Sequence, residues 1–294
     1  MSTPGKRLRE AWAERPIMIP GAFNALAAKI AERLGFAAVY LSGGALSAGW
    51  AGLPDIGLVT LTEFVDEAGV IARATRLPLL CDADTGFGAP VNVARAVPLF
   101  EAAGVAGIHL EDQMLPKRCG HLAGKTLVDP ATMASKIRAA VGSRRDPDFV
   151  VVARTDARAV EGLEAAADRA RRYLDAGADM IFPEALESLD EFARFAQVVP
   201  APLIANMTEF GKSPLLDFDV LAGLGYRAVL YPLTPFRAAM RAAADTLAVL
   251  RDQGSQRGRL DRMLTRAELY DLIDYDAWNE RDRRWLGSDA AESE

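Results

Sequence analysis

The stretch LPLLCDADTG, residues 77–86, starts as an unbroken apolar run and ends on two aspartates and a glycine. A strand that is apolar at every position, rather than at alternate ones, is one buried on both faces beneath helical crossovers. Seven further runs have the same form: PIMIP (16–20), AAVYLSG (37–43), GIHLEDQ (107–113), FVVVARTD (149–156), DMIFPEA (179–185), APLIANMTEF (201–210) and AVLYPL (228–233). A longer segment of helical period follows each, from NALAAKIAERLGF after the first to TPFRAAMRAAADTLAVL after the eighth. Glycines in AGVAG and DAGAD stand where helices end before the next strand. Eight alternating units predict an α/β protein, a (β/α)8 barrel of the TIM type over residues 16–253. A doubly wound sheet would have fewer strands and a phosphate fingerprint after the first. Here the glycines of LSGG follow the second strand and lack that spacing.

Residues 254–286 form a helical extension in this reading. Leu260, Leu264, Leu269, Tyr270, Leu272, Ile273, Tyr275, Trp278 and Trp285 make it apolar enough to require burial against the barrel or a partner. The end, GSDAAESE (287–294), reads as disordered. With 294 residues, 50% of them hydrophobic, the chain can build one core, so residues 1–294 are expected to be a single domain. The net charge of -6 carries no nucleic-acid footprint. No apolar run reaches the roughly 20 residues that span a bilayer, and the first residues lack a secretory core. Cys81 and Cys119 read as two free thiols of a cytoplasmic protein.

The C-terminal ends of barrel strands carry chemistry, and here nearly every strand closes on polar residues. They are Ser42, Asp82 and Asp84, Glu111 and Asp112, Arg154 and Asp156, Glu184, then Asn206, Thr208 and Glu209, with Arg237 after the eighth strand. Asp82 and Asp84 are two apart and point the same way on an extended chain. Two like charges on one face need a cation or a basic group between them. With Glu111 as a third carboxylate, an oxygen-only set suits Mg2+, with Mn2+ as substitute, better than Zn2+. His109 is either a ligand, a support behind the ligands, or a core histidine. Arg154 and Arg237 either recognise an anionic substrate or pair with neighbouring acids. Ser42, Gly43 and Gly44 add donors that approach an anion closely.

The loop in LEDQMLPKRCGHLAGK (110–125) surrounds Cys119 with Lys117, Arg118, His121 and Lys125. That belt of positive charge is expected to lower the thiol pKa. Cys119 is then a nucleophile with His121 as base, a general acid that protonates a carbanion, or an ordinary loop cysteine. The loop itself could fold over a ligand as a gate.

The strings YLSGG, GLPDIG, DADTGFG, GIHLEDQ, KRCGH, ARTDA, FPEA, ANMTEFG, YPL and TRAELY, in this order over roughly residues 16–280, resemble the isocitrate lyase and phosphoenolpyruvate mutase superfamily. The resemblance implies a (β/α)8 barrel and Mg2+-dependent cleavage of a carbon–carbon bond in a 2-hydroxy tricarboxylate. It implies that Asp82 and Asp84 hold the metal with Asp55 and Glu111 in the same network. Ser42, Gly43 and Gly44 would bind the 2-oxo-acid end, and Cys119, adjoined by Gly120 and His121, would be the general acid. Arg154, Glu184, Asn206, Thr208, Arg237 and Arg266 would be the remaining substrate contacts. It further implies a homotetramer that exchanges C-terminal helices, which brings Arg266 into the site.

Within that superfamily, Phe182 and Leu230 stand where isocitrate lyases tend to have tryptophan and phenylalanine. The smaller side chains leave room for one extra methyl on the substrate, a difference of about 1–3 kcal/mol. The loop text KRCGHLAGK is closer to the isocitrate lyase form KKCGHLGGK than to KRCGHRPNK. Cleavage of isocitrate or of dimethylmalate on the same site is the alternative activity, and a barrel that only binds a dicarboxylate is the alternative without catalysis.

Overall fold

Eight parallel strands carry the fold: β1 (Ile17–Pro20), β2 (Val39–Leu41), β3 (Leu79–Asp82), β4 (Gly107–Glu111), β5 (Val150–Thr155), β6 (Met180–Pro183), β7 (Ile204–Asn206) and β8 (Ala228–Tyr231). Each lies inside one of the runs expected to hold it. The computed structural model describes residues 2–286, so the expectation of a disordered 287–294 lies outside the described residues. The strands form two parallel sheets, ordered β2-β3-β4-β5-β6 and β1-β8-β7. Single parallel bridges, Gly21 with Tyr40 and Ile181 with Leu203, join them at both seams.

Continuous apolarity has a direct cause in this arrangement. Successive strand residues point to opposite faces, and both faces are covered. One set (Ile19, Tyr40, Leu80, Val152, Met180, Phe182, Ile204 and Leu230 among them) packs together as an inner cluster. The alternate set (Val39, Leu41, Leu79, Cys81, Ile108, Val151, Ala153, Ile181, Ala205 and Val229) packs against helices through Phe64, Phe100, Ile137, Tyr173 and Phe192. Side-chain caps start several of these helices. Thr60 and Glu63 form a reciprocal capping box at Leu61–Ala74, and Asp129 accepts from the N–H groups of Ala131 and Thr132 at Pro130–Ser143. Gly104 and Gly177 end two of them at φ 89° and 102°, where a side chain would be strained.

One element was not legible. Helix Pro4–Glu14 precedes the first strand, capped by Thr3, and buries Leu8 and Trp12 in the inner cluster. Arg227 Nε donates to the Trp12 carbonyl at 2.8 Å and Arg9 Nε to that of Asp148 at 2.8 Å, which fixes the helix to the chain that feeds β5 and β8. Full burial of a side chain such as Leu8 is worth about 1.5–3 kcal/mol.

The chain divides into two units, Met1–Arg237 and Ala238–Glu294. Within the second, helices Arg266–Leu272 and Tyr275–Leu286 follow the end of Thr234–Gln253 and a short 3-10 turn. Tyr270 stacks on Tyr275 with ring centroids 4.4 Å apart. Leu260, Leu264, Trp278 and Trp285 remain exposed, at 58%, 53%, 59% and 78%.

Candidate active site

Inner-face side chains continue beyond the apolar cluster at the C-terminal ends of the strands, and there they become polar. The register sets Asp82 beside His109, Glu111 beside Arg154 and Asn206 beside Leu230. Ser42, Asp82, Glu111, Arg154, Glu184, Asn206 and Thr208 line one cleft, together with Asp55, Phe182, Leu230 and loop residues 117–121.

Arg154 is the centre of this cleft. Its Nε donates to Asp156 Oδ2 at 3.0 Å and Nη2 to Asp156 Oδ1 at 3.2 Å. Nη1 stands 3.1 Å from Glu184 Oε2 and Nη2 3.4 Å from Glu111 Oε2. The guanidinium also lies over the Phe182 ring, 5.3 Å from its centroid. Burial opposes the charge of Glu184, but Arg154, His121 and Lys125 outweigh it and hold the carboxyl well below the usual range. Asn206 Nδ2 donates to Glu184 at 3.2 Å.

A second group of acids surrounds Lys117. Its ammonium pairs with Asp55 and, at 2.6 Å, with Asp84 Oδ1. Sequence reasoning assigned this lysine to the surroundings of Cys119; the fold gives it to the aspartates. Asp84 takes a left-handed backbone, φ 46°, and its N–H donates to Asp82 Oδ1 at 2.9 Å. Asp82 Oδ2 also accepts from the Gly43 N–H at 3.1 Å, and a Cβ at Gly43 would come within 2.8 Å of that oxygen. Glycine is needed there for the close approach. Burial raises Asp84 to about 7, helped by Asp82 and Asp55 and opposed by Lys117. Burial also lifts Glu111 well above the usual carboxylate range, against Arg154 and Lys117.

His109 is a core histidine. It is fully buried, Nε2 lies 2.7 Å from the Tyr40 hydroxyl, and the ring packs edge-on to Phe182. Burial lowers its pKa, which keeps it neutral. Tyr40, which also lines the cleft, was missed. Its parity with Ser42 on the inner face of β2 was the available signal.

The loop is tied down at several points. Gln113 pairs with Leu127 as an isolated antiparallel bridge, and its side chain exchanges hydrogen bonds with the Arg118 backbone at 2.8 and 2.9 Å. Lys125 Nζ reaches the Gly120 carbonyl and, at 2.7 Å, Asp156 Oδ1. A Cβ on Gly120 would fall on the Glu184 side chain and 2.5 Å from Arg154 Nη2. His121 Nδ1 accepts from the Lys212 N–H at 2.9 Å, and Nε2 faces Glu184 Oε1 at 3.1 Å. One ring nitrogen is thus engaged by the backbone, and the other stands beside a carboxylate. The thiol pKa is corrected. The residue is solvent-exposed, yet the loop and cleft wall around it still displace water from the thiol, which is the largest influence and raises it; Glu184 and Asp55 add to the rise, and the His121 backbone N–H and Arg154 oppose it without reversing it. Counting cations in the sequence gave the wrong sign because it left out enclosure and the buried acids. Both cysteines are free.

Gly43 and Asp84 act one step behind the cleft wall, through Asp82 and Lys117. Arg237 is tied to Glu209, donating to its carbonyl at 2.5 Å and to its carboxylate at 2.9 Å, and lies over Phe210. Arg266 is the first residue of Arg266–Leu272 in the second unit.

The expected ligands Asp82, Asp84, Asp55 and Glu111 do not converge on one point: among the described residues no group of three or more His, Cys, Asp or Glu forms a ready-made metal cage. The donors still fit a hard divalent cation. Asp55, Asp84, Glu111, Asp156 and Glu184 pair with Lys117, Lys125 and Arg154, three cations for five acids, and Asp82 lies beside neutral His109. Glu111 Oε1 is buried without a hydrogen-bond donor. Mg2+ needs only one or two carboxylates and keeps several waters.

Residues 8–251 match the phosphoenolpyruvate phosphomutase family. The chain is similar to the 2-methylisocitrate lyase of Aeropyrum pernix, 50% identical over 96% of this chain and 91% of that protein. Its fold is similar to the crystal structure of a 2,3-dimethylmalate lyase, a phosphoenolpyruvate mutase/isocitrate lyase superfamily member, with a TM-score of 0.91 and 34% identity over 100% of this chain and 98% of the other. It is also similar to phosphonopyruvate hydrolase in complex with oxalate and Mg2+, with a TM-score of 0.88 and 33% identity over 97% and 100%.

The raised thiol gives a direct expectation. In the metal-free protein, alkylation of Cys119 by iodoacetamide should follow thiolate formation and reach half its maximal rate at a pH above that of an ordinary thiol, because loss of surrounding water disfavours the charged form. Buried Cys81 will not compete. A midpoint below about 8, under the ordinary thiol value, would contradict the geometry described for the loop.

Proposed function

The chain belongs to the phosphoenolpyruvate phosphomutase family, and within it we propose that this protein cleaves (2S,3R)-2-methylisocitrate to pyruvate and succinate. The observation that carries the reading is the placement of Cys119 on a pinned loop above Arg154, Glu111 and Glu184, in one cleft with Phe182 and Leu230. The identity to a 2-methylisocitrate lyase supports it.

Asp82 and Asp84, with Asp55 and Glu111 around them, would hold Mg2+, which when bound polarises the substrate hydroxyl and the adjacent carboxylate as a Lewis acid. Everything else falls to the chain. Glu111, whose Oε1 has no donor of its own and whose carboxyl a cation beside it would ionise against the effect of burial, takes the proton of the 2-hydroxyl. The C2–C3 bond breaks as the carbonyl of pyruvate forms, and its electron pair passes to the succinate fragment as a carboxylate-stabilised carbanion. Arg154 and Asn206, with Thr208, stabilise that charge. The Cys119 thiol then donates its proton to the carbanion. A raised pKa keeps the donor protonated at neutral pH, and the His121 nitrogens stand beside the Lys212 N–H and Glu184. Ser42, Gly43 and Gly44 bind the pyruvate end.

Two further readings complete the proposal. The bridges at both seams support a closed (β/α)8 barrel. The exposed Leu260, Leu264, Trp278 and Trp285 support a homotetramer in which exchanged tails deliver Arg266. Light scattering that gave a monomer mass at assay concentration would reject the second of these.

The specificity test compares kcat/KM for 2-methylisocitrate, isocitrate and 2,3-dimethylmalate in Mg2+. The methylated tricarboxylate should exceed isocitrate by about tenfold or more, equivalent to about 1.4 kcal/mol, and chelation should abolish both activities. Phe182→Trp should narrow the ratio by filling the methyl pocket. An equal or higher value for isocitrate would overturn the assignment.

A further inference from the structure

Behind the cleft, on the helix-facing side of β4, Asp112 is fully buried, and no step of the proposed chemistry uses it. Its Oδ1 accepts from the Asp156 N–H at 2.9 Å. Oδ2 accepts from the hydroxyls of Thr155 and Tyr173, both at 2.8 Å, and from Arg169 Nη1 at 3.4 Å. The Asp112 carbonyl accepts from the Val128 N–H at 2.9 Å, and Arg169 Nη1 donates to the Val128 carbonyl at 2.9 Å. Glu161 holds the guanidinium from the far side at 2.6 and 2.7 Å.

These contacts meet where the Cys119 loop leaves and rejoins the fold. Gln113 follows Asp112, and Leu127, its bridge partner, precedes Val128. The other end of the cluster is Asp156, whose carboxylate holds both Lys125 of the loop and Arg154 of the cleft. The same buried group therefore fixes the neck of the loop and the anchor onto which the loop's tip is pinned. We propose that Asp112, Arg169 and Tyr173 are positioning residues, a clamp that sets the register between the neck of the Cys119 loop and its Asp156 anchor. Loosening the clamp should leave the fold of the strands intact and let the loop dwell away from Arg154. Substrate would still bind, but the thiol would seldom be in place to donate its proton.

The proposal builds on the role given to Cys119 above, so one readout must not depend on the reaction. Alkylation of Cys119 at fixed pH serves, since buried Cys81 does not compete. In Arg169→Met, alkylation should quicken about fivefold or more as the loop spends longer undocked. For the lyase reaction kcat should fall about tenfold or more with KM changed less than about threefold, the pattern of an interaction made only in the transition state. Arg169→Lys, which keeps a donor for Val128, should recover most of both. Tyr173→Phe removes a single hydroxyl, and should move both readouts the same way if Arg169→Met does not fold. Quickened alkylation in a protein that proved to have another activity would uphold the clamp while rejecting the lyase reading. A lowered melting temperature with unchanged alkylation and unchanged kcat in the folded variants would overturn the proposal, for the cluster would then be structural only.

Discussion

A guanidinium buried to 8% residual exposure keeps its charge and so needs acids around it to offset the lost hydration, and Arg154 has three. Removing one partner from such a buried group typically costs about 3–5 kcal/mol, because the other charge is left uncompensated. The requirement runs outward from there. Asp156 must be fixed to serve Arg154, and it is fixed by Asp112 from behind and by Lys125 from the loop. Glu184 must be fixed as well, by Asn206 and the proximity of His121. The loop carrying Cys119 is thus drawn to the strands by the same carboxylates that compensate the arginine's charge.

The acids exceed the fixed cations, and that imbalance shapes the other half of the cleft. Lys117 lies between Asp55 and Asp84, yet Asp84 is still pushed up to about 7 by burial and by its acidic neighbours. A site that strains to keep its carboxylates charged is one that gains from a divalent cation and from an anionic substrate that the cation can bridge. In the proposed reaction, cation and substrate would share one set of side chains.

The strands were legible because covering both faces of a parallel sheet leaves a run such as FVVVARTD apolar at every position but the last few. Polar residues at strand ends followed by parity: 82 and 84, 109 and 111, 154 and 156 continue the inner face. What parity cannot give is how far a side chain reaches from another element. Lys117 was read with its sequence neighbour Cys119 and instead spans to Asp55 and Asp84. His121 was one candidate base for Cys119, and the fold sets its nitrogens beside the Lys212 N–H and Glu184. Helix Pro4–Glu14 went unread because it has only Leu8 and Trp12 to bury, too few for a clear period. The direction of the Cys119 shift depends on enclosure, which is a property of the folded loop alone.

The central claim is that Cys119 acts as a proton donor to the leaving fragment rather than as a nucleophile or a binding group. Cys119→Ser tests it most directly, with turnover of 2-methylisocitrate and its calorimetric Kd measured on one preparation in Mg2+. A hydroxyl fills nearly the same space but is a far weaker acid. The account predicts that kcat falls by about a thousandfold or more, as when a positioned general acid is lost, while Kd stays within about threefold. Turnover within about tenfold of the unaltered protein, or a loss that appears in Kd and not in kcat, would contradict it.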